Sequence, residues 1–251
     1  MELGLRNKSV IVTGGSKGIG RSIAHRFAEE GARIAICARG METLEDTKRE
    51  LVEKGADAFA YPCDVSSPDA LYQFLEKAHE QMGSVDILVN NASGFGLKDD
   101  EKGWLAGFDV DMMAAVRATR KVVPWMKERG GGAIVNISSV SGLEGGWTTP
   151  YSAAKAALVS LSKNLSMSLA PFRIRVNTVA PGSIEYPGGA WEQIKQTRNE
   201  YYVKVRDTIP LGRMGTPDEV ADVVVYLASE RASWVTGTCL CVDGGQYKAN
   251  V

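Results

Sequence analysis

Short apolar runs alternate with amphipathic helical patterns along almost the whole chain of 251 residues. The apolar runs predict strands over residues 9–13, 33–38, 58–61, 86–90, 133–138, 173–179 and 238–242. The helical patterns lie over residues 19–30, 41–54, 69–82, 104–128, 151–170 and 217–229. Because most runs are apolar at consecutive positions, both faces of each strand must be covered, as they are in a parallel sheet. The sequence therefore predicts an α/β fold, with a doubly wound parallel sheet of about seven strands and helices on both faces.

No linker, repeat or low-complexity tract interrupts this alternation, so we predict one domain over residues 1–251. The segment 183–215 departs from the alternation of strands and helices, because it has no strand pattern and is rich in aromatic residues. These are Tyr186, Trp191, Tyr201 and Tyr202. Since long insertions in a compact domain are usually lids or binding loops, we predict a substrate lid over 183–215. The alternative is a surface helix that packs on the body through its aromatic side chains.

Composition narrows the classes of function. The formal net charge is −1, which does not favour binding to nucleic acid or to an anionic membrane. No apolar stretch reaches the roughly 18 residues of a membrane span, and the first apolar run leads directly into a glycine-rich segment, so we expect no signal peptide. The four cysteines and two histidines show no metal-binding spacing. We therefore predict no metal site. Because no disulfide framework is apparent, we also predict a cytoplasmic protein.

A glycine-rich turn joins the first predicted strand to the first predicted helix. Its residues are Gly14, Gly15, Ser16, Lys17, Gly18, Ile19 and Gly20. Glycines permit the tight turn and let the backbone approach a diphosphate closely, while the helix N-terminus offers free N–H groups. No Gly-Lys-Ser/Thr triplet follows at the spacing of a nucleoside-triphosphate loop. The turn therefore predicts a dinucleotide-binding site.

The residues at the end of the second predicted strand bear on the choice of dinucleotide. In NAD-selective folds an acidic side chain here binds the ribose hydroxyls, whereas this chain has Ala38 followed by Arg39. Ala38 would not repel a phosphate, and Arg39 and Lys17 supply positive charge where a 2′-phosphate would lie. We therefore predict NADP(H) as the cofactor. The alternative is that both cations are solvated surface residues.

Tyr151 and Lys155 form a predicted acid/base pair. Thr149 and Pro150 are typical of a helix start, with Thr149 as the N-cap, and this places Tyr151 and Lys155 on one helix face. A free tyrosine titrates at about pH 10, so we expect the Lys155 ammonium to lower the pKa of Tyr151 by favouring the phenolate. Ser139 follows the fifth predicted strand, at the rim where such sheets bind ligands, and its hydroxyl can hydrogen-bond a carbonyl oxygen.

Further motifs accompany these residues over nearly the whole chain. The full set is Thr13-Gly14-x-x-x-Gly18-x-Gly20, Asn90-Asn91-Ala92-Ser93, Ser139, Tyr151-x-x-x-Lys155, Pro181-Gly182 and Val242-Asp243-Gly244-Gly245. Together they resemble the signatures of the short-chain dehydrogenase/reductase family, a Rossmann-type fold, and in particular its 3-oxoacyl-ACP reductase-like subgroup. The resemblance implies that Ser139, Tyr151 and Lys155 are catalytic. It also implies cofactor contacts from Asp64, Val65, Asn91, Ala92, Pro181, Gly182 and Ile184, and a homotetrameric assembly.

Two positions depart from the family pattern. The family usually has an asparagine seven residues beyond a tryptophan in the helix after the fourth strand, and counting from Trp104 leads to Asp111. The resemblance implies that this residue fixes a local break in the helix and joins a proton relay to the lysine. A buried aspartate there is expected to pair with Lys155 and raise its pKa; the alternative is that Asp111 caps or solvates the helix. The second departure is Tyr186, where the family often has a threonine.

The function predicted from these residues is an NADP(H)-dependent oxidoreductase. It transfers a hydride between the nicotinamide and a ketone or secondary alcohol, with Tyr151 as acid/base, and works as a carbonyl reductase. The alternatives are a 3-oxoacyl thioester reductase, an NAD-dependent alcohol dehydrogenase and, in a different class, a non-catalytic dinucleotide-binding regulator. An epimerase or dehydratase with the same Tyr/Lys pair is disfavoured. Its glycine spacing would differ from that of this chain, and it would have a longer C-terminal substrate domain, which we do not expect here.

Overall fold

Seven parallel strands form one sheet in residues 2–249, the part of the chain that the computed structural model describes. The strands are β1 (Ser9–Thr13), β2 (Arg33–Ala38), β3 (Ala58–Pro62), β4 (Ile87–Asn90), β5 (Gly132–Ile137), β6 (Ile174–Pro181) and β7 (Cys239–Val242). Their order across the sheet is β3-β2-β1-β4-β5-β6-β7. The predicted doubly wound fold and its seven strands are confirmed, with strand ends that move by at most two residues.

Nine α-helices connect the strands within these described residues. They are α1 (Gly18–Glu29), α2 (Met41–Glu53), α3 (Pro68–Met82), α4 (Glu101–Ala106), α5 (Ala114–Arg129), α6 (Thr149–Leu169), α7 (Ala190–Thr197), α8 (Asn199–Arg206) and α9 (Pro217–Ala228). Among these helices, none combines the length and the apolar character that a bilayer span requires.

Two apolar layers cover the two faces of the sheet. Along β1, Val10 and Val12 pack in the layer of α1, α2 and α9, whereas Ile11 packs in the layer of α3 and α5. All three side chains are fully buried. This is the physical reason for consecutive apolar residues in the strands, since successive side chains point to opposite faces and both faces are covered. Strand order reverses between β1 and β4, and this reversal opens a crevice at the carboxyl ends of the strands.

The helix predicted over 104–128 is interrupted in the structure. It begins earlier, at Glu101, because the Asp100 side chain accepts a hydrogen bond from the Gly103 N–H at 2.7 Å and caps the first turn. It then widens into a π-helical turn, Gly107–Met113, before continuing as α5. A π-helical turn bonds residue i to i+5 and holds one extra residue, which a search for a period of 3.6 cannot detect.

The segment 183–215 is closed at its base by a parallel bridge between Ile184 and Gly215. Within it, α7 and α8 pack on each other, and Tyr202 lies in a small apolar cluster of the segment's own residues, with Trp191 packed against it. The aromatic residues thus pack largely with one another, a feature that the sequence pattern did not resolve into two helices.

Candidate active site

A cleft of about 1240 Å³ opens at the carboxyl ends of the strands, between the glycine-rich turn, the end of β5 and the segment 183–215. Most predicted site residues line it: Gly14, Ser16, Lys17, Ile19, Gly20, Arg39, Asp64, Val65, Asn91, Ala92, Ser139, Tyr151, Lys155, Pro181, Gly182 and Ile184. Two predicted site residues, Gly18 and Asp111, are not among the residues that line the cleft. The structure thus brings together residues that are far apart in the sequence.

The glycine-rich turn leaves no room for side chains at its glycines. A Cβ on Gly20 would lie 2.2 Å from the Gly14 carbonyl oxygen, and Gly14 itself has a φ of +70°. The Asn91 amide donates to the carbonyls of Thr13 and Gly14, at 2.9 and 3.0 Å, and so ties the end of β4 to the turn. At the start of α1, the N-cap residue Lys17 makes no side-chain hydrogen bond to the helix. A close-approach turn followed by a helix start without a side-chain cap fits a diphosphate group.

Gly18 is covered by the ring of Tyr186. A Cβ on Gly18 would lie 2.6 Å from Tyr186 Cζ, and a Cβ on Gly189 would lie 3.0 Å from the same ring. The tyrosine therefore sits between two glycines, and burial raises the pKa of its hydroxyl. Tyr186 fills the place of the smaller family threonine by packing on the turn itself, and this explains why Gly18 does not line the cleft.

At the end of β2, Ala38 is half-buried, while Arg39 and Lys17 are exposed beside the cleft. Asp64, which follows β3, accepts hydrogen bonds from the hydroxyl and the N–H of Ser66, at 2.7 and 3.0 Å. These two bonds hold the pKa of Asp64 below its usual range. The carboxylate is thus fixed by its own turn, and the charge of the Arg39 guanidinium lowers its pKa further.

Tyr151 and Lys155 project from the first turns of α6. The helix begins at Thr149 with Thr148 as its N-cap, so the prediction of Thr149 as the N-cap is wrong by one residue. The i, i+4 relation is unchanged, and Lys155 Nζ lies 5.5 Å from the centroid of the Tyr151 ring. The ammonium donates to the Ile137 carbonyl at 2.9 Å, and the Ser138 hydroxyl donates to the Lys155 carbonyl at 2.9 Å. These two bonds lock the start of α6 to the end of β5.

Ser139 is held in place by Ser141. The N–H of Ser141 donates to Ser139 Oγ at 3.2 Å, and the two hydroxyls lie 3.0 Å apart. Tyr151 is within hydrogen-bonding reach of Ser139. Because the Ser139 oxygen already accepts from Ser141, its own proton can be donated to the Tyr151 oxygen or to a substrate oxygen in the cleft.

Asp111 lies on the π-helical turn, fully buried against Lys155. Its Oδ1 is 2.8 Å from Lys155 Nζ, with side-chain exposures of 0% for Asp111 and 3% for Lys155. Its Oδ2 accepts a hydrogen bond from the Gly94 N–H at 2.9 Å. The expected local break in the helix and the expected pairing with Lys155 are both present, and the pairing is a direct ion pair.

This ion pair changes the titration behaviour of the pair on α6. Burial raises the pKa of Tyr151, and the Asp111 charge adds to this effect, so together they outweigh Lys155 and Ser139, which lower it. Lys155 thus acts on the pKa of Tyr151 in the predicted direction, but the predicted net lowering is wrong. For Lys155, burial acts to lower the pKa, but the charges of Asp111 and Tyr151 outweigh burial and raise it, as expected.

Phe95 is a residue of the cleft that the sequence analysis missed. Its ring stacks on that of Tyr151, with centroids 6.0 Å apart and planes at 12°. Its φ is +46°, a left-handed conformation that is rare for an aromatic residue, and half of its surface is exposed. The signal available in the sequence was a bulky residue between Gly94 and Gly96, two positions after the Asn-Asn-Ala-Ser motif. Trp147, Trp191 and Tyr201 complete an aromatic lining.

Comparison with known proteins agrees with this geometry. Residues 14–246 match a family model described as enoyl-(acyl carrier protein) reductase. The chain is 36% identical to isoepoxydon dehydrogenase patN of Penicillium expansum, over 96% of this chain and 95% of the relative. It is 35% identical to the 3-oxoacyl-[acyl-carrier-protein] reductase FabG of Thermotoga maritima, over 96% and 98%. L-sorbose reductase of Gluconobacter frateurii, solved with NADPH and L-sorbose, superposes with a TM-score of 0.90 at 34% identity, over 99% of this chain and 100% of that one.

The chain belongs to the short-chain dehydrogenase/reductase family, and it is therefore an oxidoreductase with a Rossmann-type fold. The two departures noted in the sequence, Asp111 and Tyr186, are features of this chain within that family.

Proposed function

We propose that this protein is an NADP(H)-dependent carbonyl reductase that interconverts a ketone and a secondary alcohol. The observation that carries the proposal is the convergence of Ser139, Tyr151 and Lys155 in the same cleft as the glycine-rich turn. Such a cleft holds an acid, a hydrogen-bond donor and a diphosphate cradle within reach of one another, which is the set that carbonyl reduction requires.

Three side chains of the cleft have separate roles in the proposed reaction. A bound nicotinamide supplies the hydride. Tyr151 donates its phenolic proton to the substrate oxygen in reduction and accepts it in oxidation. Ser139 donates a hydrogen bond to that oxygen and stabilises the charge that develops on it. Lys155 keeps its ammonium beside Tyr151 and has a further proton to donate to a ribose hydroxyl, because Ile137 and Asp111 occupy only two of its three donors.

The dinucleotide would lie along the carboxyl ends of the strands. We propose that the glycine-rich turn and the first turn of α1 hold the diphosphate, and that Asp64 and Val65 flank the adenine. Asn91, Ala92, Pro181, Gly182 and Ile184 would line the path to Tyr151. Arg39 and Lys17 would hold the 2′-phosphate, and the NADPH in the Gluconobacter frateurii reductase supports this choice of cofactor.

The substrate would enter between Phe95 and the segment 183–215. We propose this segment as the lid, supported by the position of Trp191 and Tyr201 on the cleft. The aromatic lining favours a ring-bearing or apolar ketone. The second candidate is a 3-oxoacyl thioester, which the similarity to the Thermotoga maritima reductase favours.

We also propose a homotetramer in the cytoplasm. Exposed apolar residues on α6 and beside β7 support the assembly, with Met167 70% and Trp234 99% exposed. The free thiols of all four cysteines support a reducing compartment.

The Tyr151→Phe variant tests the proposed function. NADPH consumption is followed by absorbance with ketones, diketones and 3-oxoacyl thioesters, and NADPH binding is measured separately by fluorescence. The variant should lose at least about 100-fold in kcat yet bind NADPH as the wild type does, because only the proton donor is removed. Tyr72→Phe, an equal change at a half-exposed tyrosine on α3, is the control and should keep full activity. Retention of more than about a tenth of kcat by Tyr151→Phe would refute the assignment.

A further inference from the structure

Both oxygens of the Asp111 carboxylate are fixed from opposite sides. Oδ1 faces Lys155 Nζ at 2.8 Å, and Oδ2 accepts from the Gly94 N–H at 2.9 Å. The side chain has no solvent exposure, so water screens neither contact. The carboxylate is therefore held between the Lys155 ammonium and the Gly94 N–H.

The position of this carboxylate decides what electrostatic field reaches Tyr151. Lys155 Nζ lies 5.5 Å from the centroid of the Tyr151 ring, about twice its distance from Asp111. A lone ammonium at that distance would favour the phenolate strongly. Paired with a buried carboxylate, it acts as a dipole whose two charges largely cancel at the phenol. An asparagine at position 111 would leave the full cation.

Several other charged groups lie around the same cleft. Lys102 of α4, Asp109 of the π-helical turn and Arg198 beside α8 line the same cleft. Glu144, in the loop before α6, accepts a hydrogen bond from Trp147. The groups that act on the Tyr151 hydroxyl are Lys155, Asp111 and Ser139. Burial is the larger influence against the phenolate, and among these three groups only Asp111 adds to it.

We propose that Asp111 is a positioning residue that holds Tyr151 in its protonated form and so suits the site to reduction. In reduction, hydride adds to the carbonyl carbon and the O–H bond of Tyr151 breaks as its proton moves to the substrate oxygen; solvent then reprotonates the phenolate. In oxidation the phenolate must be present first, to take the proton from the alcohol. The direction of catalysis rests on the proposed function, but the effect on Tyr151 does not.

A spectroscopic titration without cofactor tests the effect directly. Phenolate absorbance is recorded against pH for the wild type and for Asp111→Asn, each minus the same protein carrying Tyr151→Phe. The difference isolates the titration of Tyr151. The midpoint should fall by about half a pH unit or more in Asp111→Asn, because the lysine is no longer neutralised. Asp109→Asn removes the same charge from the same helical turn and is the matched control; its midpoint should stay within about 0.2 pH unit of the wild type.

Kinetic profiles supply the second readout. In Asp111→Asn the alkaline loss of reduction and the alkaline gain of oxidation should both move to lower pH, by the same amount as the titration midpoint. Asp111→Ala removes the charge without adding an amide and should move the midpoint in the same direction. An unchanged midpoint, or an equal fall in Asp109→Asn, would overturn the proposal. So would the failure of both Asp111 variants to fold, because the carboxylate would then have a structural role only.

The two proposals fail separately. A shifted midpoint with no turnover on any carbonyl would leave the inference on Asp111 standing and remove the proposed function. Turnover that depends on Tyr151, with no shift in Asp111→Asn, would do the reverse.

Discussion

Ala38 ends β2 with a methyl group where an NAD-selective site would place a carboxylate. Arg39 follows it and is exposed at the edge of the cleft, with Lys17 across from it on the glycine-rich turn. A phosphate on the adenosine ribose would meet two cations there and no neighbouring acid at position 38. We therefore expect the preference between NADPH and NADH to depend mainly on Arg39, Lys17 and residue 38.

We expect kcat/KM for NADPH to exceed that for NADH by about 100-fold or more, since each charge-assisted hydrogen bond contributes about 1.5–3 kcal/mol. Arg39→Ala should lower kcat/KM for NADPH by at least about tenfold and leave NADH nearly unaffected. Ala38→Asp should reverse the preference by repelling the phosphate and binding the ribose. Steady-state kinetics with both cofactors measure this. Equal values in the wild type would contradict it.

The buried ion pair also makes a prediction about stability. Lys155→Met leaves the Asp111 carboxylate without its partner at 0% exposure, so we expect a loss of about 3–5 kcal/mol in the free energy of unfolding. Adding Asp111→Asn to that variant removes the orphaned charge and should recover most of the loss. Urea unfolding of the four proteins of this double-mutant cycle measures the coupling. Additive effects would mean that the two groups do not act as a pair.

How far the sequence predicts the site depends on how local each relation is. Tyr151 and Lys155 are four residues apart on one helix, so their pairing follows from helix geometry alone. The contact of Asp111 with Lys155 joins two helices and depends on the extra residue in the π-helical turn. The distance between the two side chains therefore cannot be derived from the sequence pattern. The stacking of Phe95 depends on a left-handed backbone conformation that the sequence does not specify.

At the scale of elements, prediction succeeds where apolar periodicity is strong. The pattern identifies all seven strands, because the inner strands are covered on both faces and the edge strands β3 and β7 are also mainly apolar. The helical region over 104–128 was found as one helix, since the apolar pattern continues across the widened turn. In 183–215, α7 and α8 have only eight residues each and pack mainly on each other, so neither has the long apolar stripe that identifies a helix.

The start of α9 carries a capping box. The Thr216 hydroxyl accepts from the Glu219 N–H, and the Glu219 carboxylate accepts from the Thr216 N–H at 2.8 Å. Arg213 and the Thr216 N–H together lower the pKa of Glu219 from its ordinary 4.5 to about 2. Because the folded protein favours the ionised form, this stabilisation is complete above pH 4.5 and disappears as the pH falls through about 2.

We therefore expect Glu219→Gln to unfold more easily than the wild type at neutral pH, by about 1 kcal/mol, with Glu219 only partly buried. The difference between the two proteins should stay constant down to about pH 5 and then close as the pH falls. Urea unfolding over a pH series measures it. Glu200→Gln, on the exposed first turn of α8, is the control and should show a smaller effect. A difference that grows in acid would contradict the assignment.

At the scale of the whole molecule, the exposed apolar surface bears on assembly. β7 is one of the two edge strands of the sheet, with Leu240 37% exposed, and Trp234 precedes it at 99% exposure. An exposed edge strand of this kind tends to pair or aggregate with other chains unless a partner subunit covers it. On α6, Ala156 and Met167 form part of a second exposed apolar surface. Two separate surfaces suit a dimer of dimers.

Light scattering at micromolar concentration should give about four times the chain mass of 27.0 kDa. Trp234→Asp should reduce this mass by opposing burial at the β7 surface, while circular dichroism stays unchanged. Val52→Asp, an equally apolar-to-acidic change at a half-exposed residue of α2, should remain a tetramer. A monomer in the wild type would refute the assembly.

The π-helical turn has a consequence for insertions and deletions in the coding sequence. Gly107–Met113 holds one residue more than the regular helix needs. Loss of a single residue there would let the backbone relax into a continuous α-helix with every main-chain hydrogen bond intact. Because the widened turn absorbs that residue, its loss would leave α4 and α5 close to their present relative orientation and would change only the side chains that the turn itself presents. Asp111 would leave Lys155 although no functional residue had been substituted, and alignments that ignore this gap would place the wrong side chain opposite the lysine.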